Sequence, residues 1–119
     1  MIDARWAKAF ASEWIEAWNS HDLERIFSHY ADDFEMSSPF IIQRGFALSG
    51  TLKGKAAIRP YWQNGLVATP PLHFELIEYL IGVHSITLYY RRQSGKVAAE
   101  VLIFNDEGMA IKGIAHYGE

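Results

Sequence analysis

The chain has 119 residues, of which half are hydrophobic and 21% are charged, and its formal net charge is −3. This composition is typical of one ordinary globular domain, so we expect a single domain over residues 1–119. The lack of cysteine excludes disulfides, thiolate nucleophiles and thiolate metal ligands. Since no long basic run is present, we expect no nucleic acid or membrane surface as a partner.

The N-terminal segment enters a helical pattern directly, without the basic region and apolar core of a signal peptide. No apolar run along the chain is long enough to span a bilayer. We therefore expect a cytoplasmic protein that does not enter a membrane.

The first predicted helix carries an aromatic stripe, with large apolar residues spaced by four and polar residues on the opposite side. The stripe consists of Ile2, Trp6, Phe10, Trp14 and Trp18. Two interpretations fit it. Either the whole stripe packs into the core, or its C-terminal end, with Trp14 and Trp18, forms part of a cavity wall.

The chain then turns a corner at Asn19–Asp22. The Asp22 carboxylate can accept hydrogen bonds from the free N–H groups of a second helix. The pair Asp32–Asp33 is interpreted as the end of that helix rather than as a catalytic pair of carboxylates. Residues 34–38 alternate as a short strand, and Pro39 stops it.

Residues 40–50 are more apolar than a solvated loop should be, and their glycines argue against a long regular element. We interpret this segment as an extra loop that lies against a cavity mouth or a dimer partner. A third helix is predicted over Gly54–Leu66. One face of that helix carries Ala57, Ile58, Tyr61, Trp62 and Leu66.

Four strands are predicted in the rest of the chain, over residues 72–83, 85–93, 96–104 and 109–117. Helices therefore come first, and a meander of antiparallel strands follows them. This order predicts an α+β fold with the helices on one face of the sheet.

Three stretches carry a family resemblance: Trp14–Pro39, Leu52–Arg59 and Glu100–Gly108. Together they resemble the nuclear transport factor 2-like superfamily, which includes ketosteroid isomerases, limonene epoxide hydrolases and SnoaL-like polyketide cyclases. The resemblance implies a cone-shaped fold, in which three N-terminal helices pack on a strongly curved antiparallel sheet and enclose a pocket. Because this scaffold hosts many chemistries, the function must be argued from the residues of the pocket.

Glu100 is the candidate catalytic residue. In ketosteroid isomerases the matching carboxylate points into the cavity, and alternation then places Leu102 and Phe104 on the same face. By the same resemblance, we expect further side chains of the last strand and the middle strand to point into the cavity. They are Gly113, Ala115, Tyr117, Thr87, Tyr89 and Arg91.

Two interpretations of Glu100 stay open. It is a solvated or salt-bridged carboxylate, with Arg91 as its partner, or it is an acid or base inside the cavity. In the cavity, desolvation should raise the pKa of Glu100, whereas a nearby Arg91 would oppose that rise.

The expected ligand-binding residues wall the cavity or supply its polar groups. They are Trp14, Trp18, Met36, Ser38, Tyr61, Trp62, Tyr89, Arg91, Leu102 and Tyr117. Ser38 stands where the isomerases carry their general base, and Trp14 stands where they carry the oxyanion-hole tyrosine. We therefore expect no steroid isomerase activity. The five histidines lack the spacing of metal ligands, so we expect neither a metal nor another cofactor.

Three functions are compatible with these residues. The first is an isomerase, cyclase or hydrolase that acts on a hydrophobic cyclic or polyketide-like compound, with Glu100 as general acid or base. The second is a module that binds a hydrophobic ligand without chemistry, and the third is a dimerisation module. We expect a homodimer through the outer sheet face, which is too apolar to leave in water. Near that interface we expect His73, Glu75, Tyr90 and His116, with Ile77, Ile86, Leu88, Val101, Ile103 and Ile114 as its apolar surface.

Overall fold

The structure is a computed structural model that describes residues 2–119. Its mixture of helices and strands confirms the predicted α+β class. The elements are α1 (Ala4–Ser20), α2 (Leu23–Phe27), β1 (Tyr30–Ser37), α3 (Pro39–Gln43), β2 (Thr51–Lys53), α4 (Lys55–Leu66), β3 (Glu75–Ile81), β4 (Ser85–Arg91), β5 (Val97–Phe104) and β6 (Ala110–Tyr117). Among the helices of this described part, none has both the length and the apolar character needed to cross a bilayer.

The strands form one sheet in the order β2-β1-β6-β5-β4-β3. Neighbouring strands are antiparallel, as predicted, with one exception. Strands β1 and β6 are parallel to each other. The expectation of antiparallel pairing throughout is wrong at this position. Since parallel neighbours need a long connection, the chain from α3 to β5 forms the connection between them.

A side-chain cap starts α1, and a left-handed residue ends it. Asp3 Oδ1 accepts hydrogen bonds from the backbone N–H groups of Arg5 at 2.8 Å and Trp6 at 3.1 Å. His21 follows the last turn with φ 60°. The aromatic stripe is buried from Phe10 onward, so the inner face of α1 brings its C-terminal tryptophans into the core.

The corner after α1 positions the segment that leads into β3. The Asn19 side chain donates from Nδ2 to the carbonyl oxygen of Phe74 at 2.9 Å and accepts the N–H of Phe74 on Oδ1 at 2.7 Å. His21 Nε2 lies 2.7 Å from the carbonyl oxygen of Leu72. The ring of Phe74 is thereby held against Trp14, with 5.7 Å between the two ring centroids.

The second helix is shorter than the sequence suggested. Asp22 caps α2 as expected, because its Oδ1 accepts the N–H of Arg25 at 3.1 Å, but the strand already begins at Tyr30. The pair Asp32–Asp33 therefore lies inside β1 rather than at a helix end. An irregularity in the β1–β6 pairing after Tyr30 spans this pair, and both carboxylates are exposed.

The apolar segment after β1 contains a short helix, α3, where a loop was expected. Ser38 Oγ accepts the N–H of Phe40 at 3.2 Å, and Pro39 occupies the first helical position, where its missing N–H costs nothing. Ile41 is fully buried beneath the helix. Phe40 and Arg44 line the pocket between the sheet and the helices. The contacts of Phe40 there and of Ile41 in the core explain why this segment is apolar.

The side chains of β4 face the opposite way from the expectation. Leu88 pairs with the buried Glu100, and partners on neighbouring strands share a face of the sheet. The inner face of β4 carries Ile86, Leu88 and Tyr90, whereas the outer face carries Thr87, Tyr89 and Arg91. The β4–β5 turn, in which the Arg92 N–H donates to the Lys96 carbonyl at 2.8 Å, sets this register. The expectation was transferred from isomerases with a longer hairpin, and a slip of one residue reverses every side chain.

Candidate functional site

The candidate site is a pocket between the inner face of the sheet and the helices. The space between its atoms amounts to about 530 Å³ when the solvent at its open mouth is counted. Apolar and aromatic side chains dominate its wall. The lining residues are Trp18, Met36, Phe40, Arg44, Tyr61, Trp62, Gly65, Leu72, Phe74, Tyr90, Arg92, Gln93, Glu100 and Tyr117.

Glu100 is the carboxylate of this pocket. It is only 3% exposed, and its Oε1 accepts a hydrogen bond from the Tyr90 hydroxyl at 3.4 Å. Its Oε2 is buried and has no hydrogen-bond partner among residues 2–119. Burial raises the pKa of Glu100 from 4.5 to about 7, and the hydrogen bond from Tyr90 opposes this rise. The carboxyl group is therefore poised to gain or lose a proton near neutral pH.

Trp18 places a second unpartnered polar group on the pocket wall. Its Nε1–H is buried and makes no hydrogen bond of acceptable geometry to the described residues. The neighbouring Tyr30 hydroxyl instead accepts the Nε1–H of Trp14 at 2.9 Å. Burial raises the pKa of Tyr30, and the indole N–H groups of Trp14 and Trp18 near its hydroxyl oppose that rise. The pocket therefore offers one free indole donor and one free carboxyl oxygen.

The expected ligand-binding residues divide into three groups. Trp18, Met36, Tyr61, Trp62 and Tyr117 line the pocket, together with Glu100. Trp14, Ser38 and Leu102 are buried behind the wall. Tyr89 and Arg91 lie on the outer face of β4, so their placement in the cavity is corrected.

The residues behind the wall support those that line it. Trp14 contacts the ring of Tyr90 with 5.3 Å between centroids. Ser38 and Tyr61 share a hydrogen bond between their hydroxyl oxygens at 2.9 Å. A side chain at Gly113 would approach within 3.1 Å of Met36 Sδ, so this glycine leaves room for the thioether beside the pocket. Substitutions at these positions would therefore change the pocket indirectly.

The sequence analysis missed several lining residues. The alternation of β4, in which Ile86 and Leu88 are apolar and Thr87 is polar, was a signal that would have placed Tyr90 inside. The apolar segment at α3 was a signal for Phe40. No sequence signal identified the others, which reach the pocket from the C-terminal ends of α3 and α4, from the β4–β5 turn and from the segment before β3: Arg44, Gly65, Leu72, Phe74, Arg92 and Gln93.

Two arginines lie at the outer end of the pocket. The guanidinium carbon of Arg44 is 4.7 Å from the ring centroid of Phe40, and that of Arg92 is 4.8 Å from the same centroid. Arg92 also lies 5.0 Å from the ring centroid of Tyr117. Arg44 is exposed and Arg92 is half-buried, whereas Glu100 is buried. The pocket thus has two positive charges near its mouth and one titratable carboxyl group inside.

The histidine and carboxylate side chains do not converge on a metal-binding arrangement within residues 2–119.

Comparison with known families then identifies the scaffold. The family model of the SnoaL-like domain matches residues 11–117.

The chain belongs to the SnoaL-like family. This SnoaL-like chain is similar to a SnoaL-like protein of unknown function from Burkholderia thailandensis E264, at 47% sequence identity. That similarity covers 99% of this chain and 98% of the other, with a TM-score of 0.94. Comparison with curated proteins found no match.

More distant structures show the same fold. The epoxide hydrolase/cyclase-like enzyme SalBIII, of pyran ring formation in the polyether salinomycin, is 18% identical. It superposes with a TM-score of 0.76, over 99% of this chain and 95% of that chain. An NTF2-like protein of unknown function from Burkholderia pseudomallei K96243 is 17% identical, with a TM-score of 0.74 over 94% and 90% of the two chains. These distant similarities confirm the predicted fold, and the family model confirms the predicted SnoaL-like resemblance.

Proposed function

We propose that this SnoaL-like protein is a small enzyme that binds a hydrophobic cyclic or polyketide-like compound and that Glu100 is its general acid and base. The observation that carries this proposal is the buried Glu100 Oε2, which lines the pocket without a partner. A buried polar group without a partner is costly, so an occupant of the pocket that supplies one would be favoured.

The pKa of Glu100 suits this role. A group that titrates near about 7 is present in both protonation states at neutral pH, so it can remove a proton at one position of a bound compound and return it at another. Such a transfer consumes no net proton and needs no second acid. It is compatible with an isomerisation or a cyclisation, and with the protonation step of a ring-opening hydrolysis.

The unpartnered indole of Trp18 supports the same proposal. When a proton leaves a carbon next to a carbonyl group, negative charge develops on the carbonyl oxygen, and a fixed N–H donor stabilises that charge. Trp18 Nε1–H is buried on the pocket wall and free to donate. The similarity to SalBIII, an epoxide hydrolase/cyclase-like enzyme, supports a cyclic compound as the substrate.

Glu100→Gln provides the direct test, because glutamine keeps the size of the side chain and cannot exchange protons in this way. Native mass spectrometry of the purified protein would first identify a retained compound, which then serves as the substrate. We expect Glu100→Gln to bind this compound and to lose its turnover, while Glu107→Gln, in the exposed β5–β6 turn, keeps both. Full turnover by Glu100→Gln would contradict the enzymatic proposal.

A binding module without chemistry is the second candidate. It is favoured by the rest of the lining, since burial raises the pKa values of Tyr61, Tyr90 and Tyr117 and keeps these hydroxyls neutral. Glu100 therefore has no obvious partner acid or base in the wall. Recovery of the retained compound unchanged after prolonged incubation, with equal affinity for the native protein and Glu100→Gln, would support this candidate.

We further propose that the outer sheet face forms a homodimer. Leu80, Thr87, Val101 and Ile114 are register partners across four strands and form one row on that face. Three of these four side chains are apolar and Leu80 is 59% exposed, and a mainly apolar row of this kind favours self-association. Glu75 and His116 also belong to this face, whereas Tyr90, Ile86 and Leu88 do not.

Sedimentation velocity at micromolar concentration tests the dimer. We expect a dimer for the native chain and a monomer for Val101→Arg. Leu48→Arg is a suitable control, because Leu48 is 98% exposed and lies in the loop between α3 and β2, outside the strands. A native monomer at these concentrations would contradict the proposal.

A further inference from the structure

The two arginines at the pocket mouth lack acidic partners. Although the whole chain has a net charge of −3, no carboxylate of residues 2–119 lies within salt-bridge distance of Arg44 or Arg92. Arg44 makes only a long contact from Nη1 to Asn64 Oδ1, at 3.5 Å. Among the other arginines, Arg25 pairs with Glu13 and Arg59 with Glu24, whereas Arg5 and Arg91, which lie away from the pocket, have no salt bridge within residues 2–119. The mouth is therefore a local concentration of uncompensated positive charge.

Aromatic rings hold both guanidinium groups in place. Each lies within 5 Å of the Phe40 ring centroid, and Arg92 lies at a similar distance from Tyr117. The rings of Phe40 and Tyr117 themselves pack with 4.1 Å between centroids. A guanidinium that packs on a ring keeps its N–H groups at its edges, where they remain available to an anion.

The positive charges act on the interior of the pocket. Burial raises the pKa values of Tyr61 and Tyr90, and the charges of Arg44 and Arg92, respectively, oppose these rises. The apolar wall beneath the arginines has a lower dielectric constant than water, so a charge at the mouth is weakly screened there. A ligand with one apolar part and one anionic part would match this arrangement.

We propose that the pocket takes a ring compound that bears a carboxylate, with its ring among the aromatic side chains and its carboxylate held at the mouth by Arg44 and Arg92. The inference rests on the proposed small-molecule function and names the substrate class. A guanidinium group can donate two parallel N–H hydrogen bonds to the two oxygens of a carboxylate. The end of the compound opposite the carboxylate would then point towards Glu100.

A matched pair of probes tests the proposal. 1-Naphthoate and 1-naphthamide share a ring system and differ in charge, and quenching of the tryptophan fluorescence reports their binding, because Trp18 and Trp62 line the pocket. At low salt we expect the naphthoate to bind about tenfold more tightly than the naphthamide. Added sodium chloride should weaken the naphthoate alone, since it screens charge. This arm requires no variant.

Variants then locate the preference. Arg44→Gln combined with Arg92→Gln should abolish the preference for naphthoate and leave the affinity for naphthamide within about twofold, because only the ion pairs are lost. Arg59→Gln is the matched control. Arg59 also packs on a ring, 4.9 Å from the Phe27 centroid, but it pairs with Glu24 and lies outside the pocket. We expect this control to keep the native preference.

Several results would overturn the inference: equal affinities of the native protein for both probes, a preference that survives the double substitution, or a preference that the control also loses. If the naphthamide binds as tightly as the naphthoate, the pocket remains a ligand site and only the anionic substrate class fails. If the preference for naphthoate holds but Glu100→Gln keeps full turnover of the retained compound, only the enzymatic role fails. Failure of both probes to bind would count against both.

Discussion

Replacement of Glu100 by glutamine should stabilise the protein at about pH 8 and change the pH dependence of its stability in a defined window. The pKa of this carboxyl group is raised from 4.5 to about 7 in the folded protein. The folded state therefore favours the protonated form, and this contribution is fully present below about pH 4.5 and lost as the pH rises through about 7. A difference of roughly 2.5 pH units corresponds to a loss on the order of 3 kcal/mol.

Urea unfolding at a series of pH values measures this effect. Glutamine has no charge at any of them, so the difference in unfolding free energy between Glu100→Gln and the native protein isolates the titration of Glu100. We expect that difference to increase by about 3 kcal/mol in favour of the variant between pH 4 and pH 8.5. A flat curve for Glu100→Gln would refute the desolvation argument, because it would mean that the carboxylate is solvated.

Three further predictions follow from the site and its supports. Tyr90→Phe removes a hydrogen bond that lowers the pKa of Glu100, so an NMR titration of the Glu100 carboxyl carbon should show a higher pKa. An unchanged pKa would mean that this hydrogen bond does not stabilise the carboxylate. Asn19→Ala should lower the free energy of unfolding, measured in urea, by about 1–3 kcal/mol, because it leaves both backbone groups of Phe74 without their partner. A loss no larger than that of Asn64→Ala, at an exposed position of α4, would contradict this prediction. A 3-oxo-Δ5-steroid should isomerise no faster with the protein than in buffer, since the isomerase base and hydroxyl donor are both replaced, and clear turnover in an absorbance assay would overturn the residue-by-residue transfer.

Helices α1, α2 and α4 and most strands could be predicted because each has a strong local signal, whereas the short α3 was not predicted. The fourfold spacing of aromatic residues in α1 and the carboxylate of Asp22 depend only on nearby sequence. The parallel pairing of β1 with β6 could not be predicted in this way, because it joins distant segments. The start of β1 at Tyr30 was hidden for the same reason, since its pairing with Ala110 outweighs the local helical pattern.

The interior of the site was predictable where one residue fixed its neighbours. Glu100 set the orientation of β5, and alternation then placed Leu102 and Phe104 on the same face, as the structure does. Orientation does not pass from one strand to the next without the register, so β4 was reversed. Arg44 and Arg92 illustrate a different limit. They come from the end of a short helix and from a turn, where neither periodicity nor burial indicates which way a long side chain extends.

The pairing of β1 with β6 also has a consequence for the synthesis of this protein. During translation β1 emerges early, but one of its two neighbours in the sheet is the last strand of the chain. Until that strand leaves the ribosome, β1 has only the three-residue β2 beside it, and its other edge remains unpaired. The domain should therefore complete its sheet only after synthesis has reached residue 117, in a slow step dominated by contacts between distant parts of the chain.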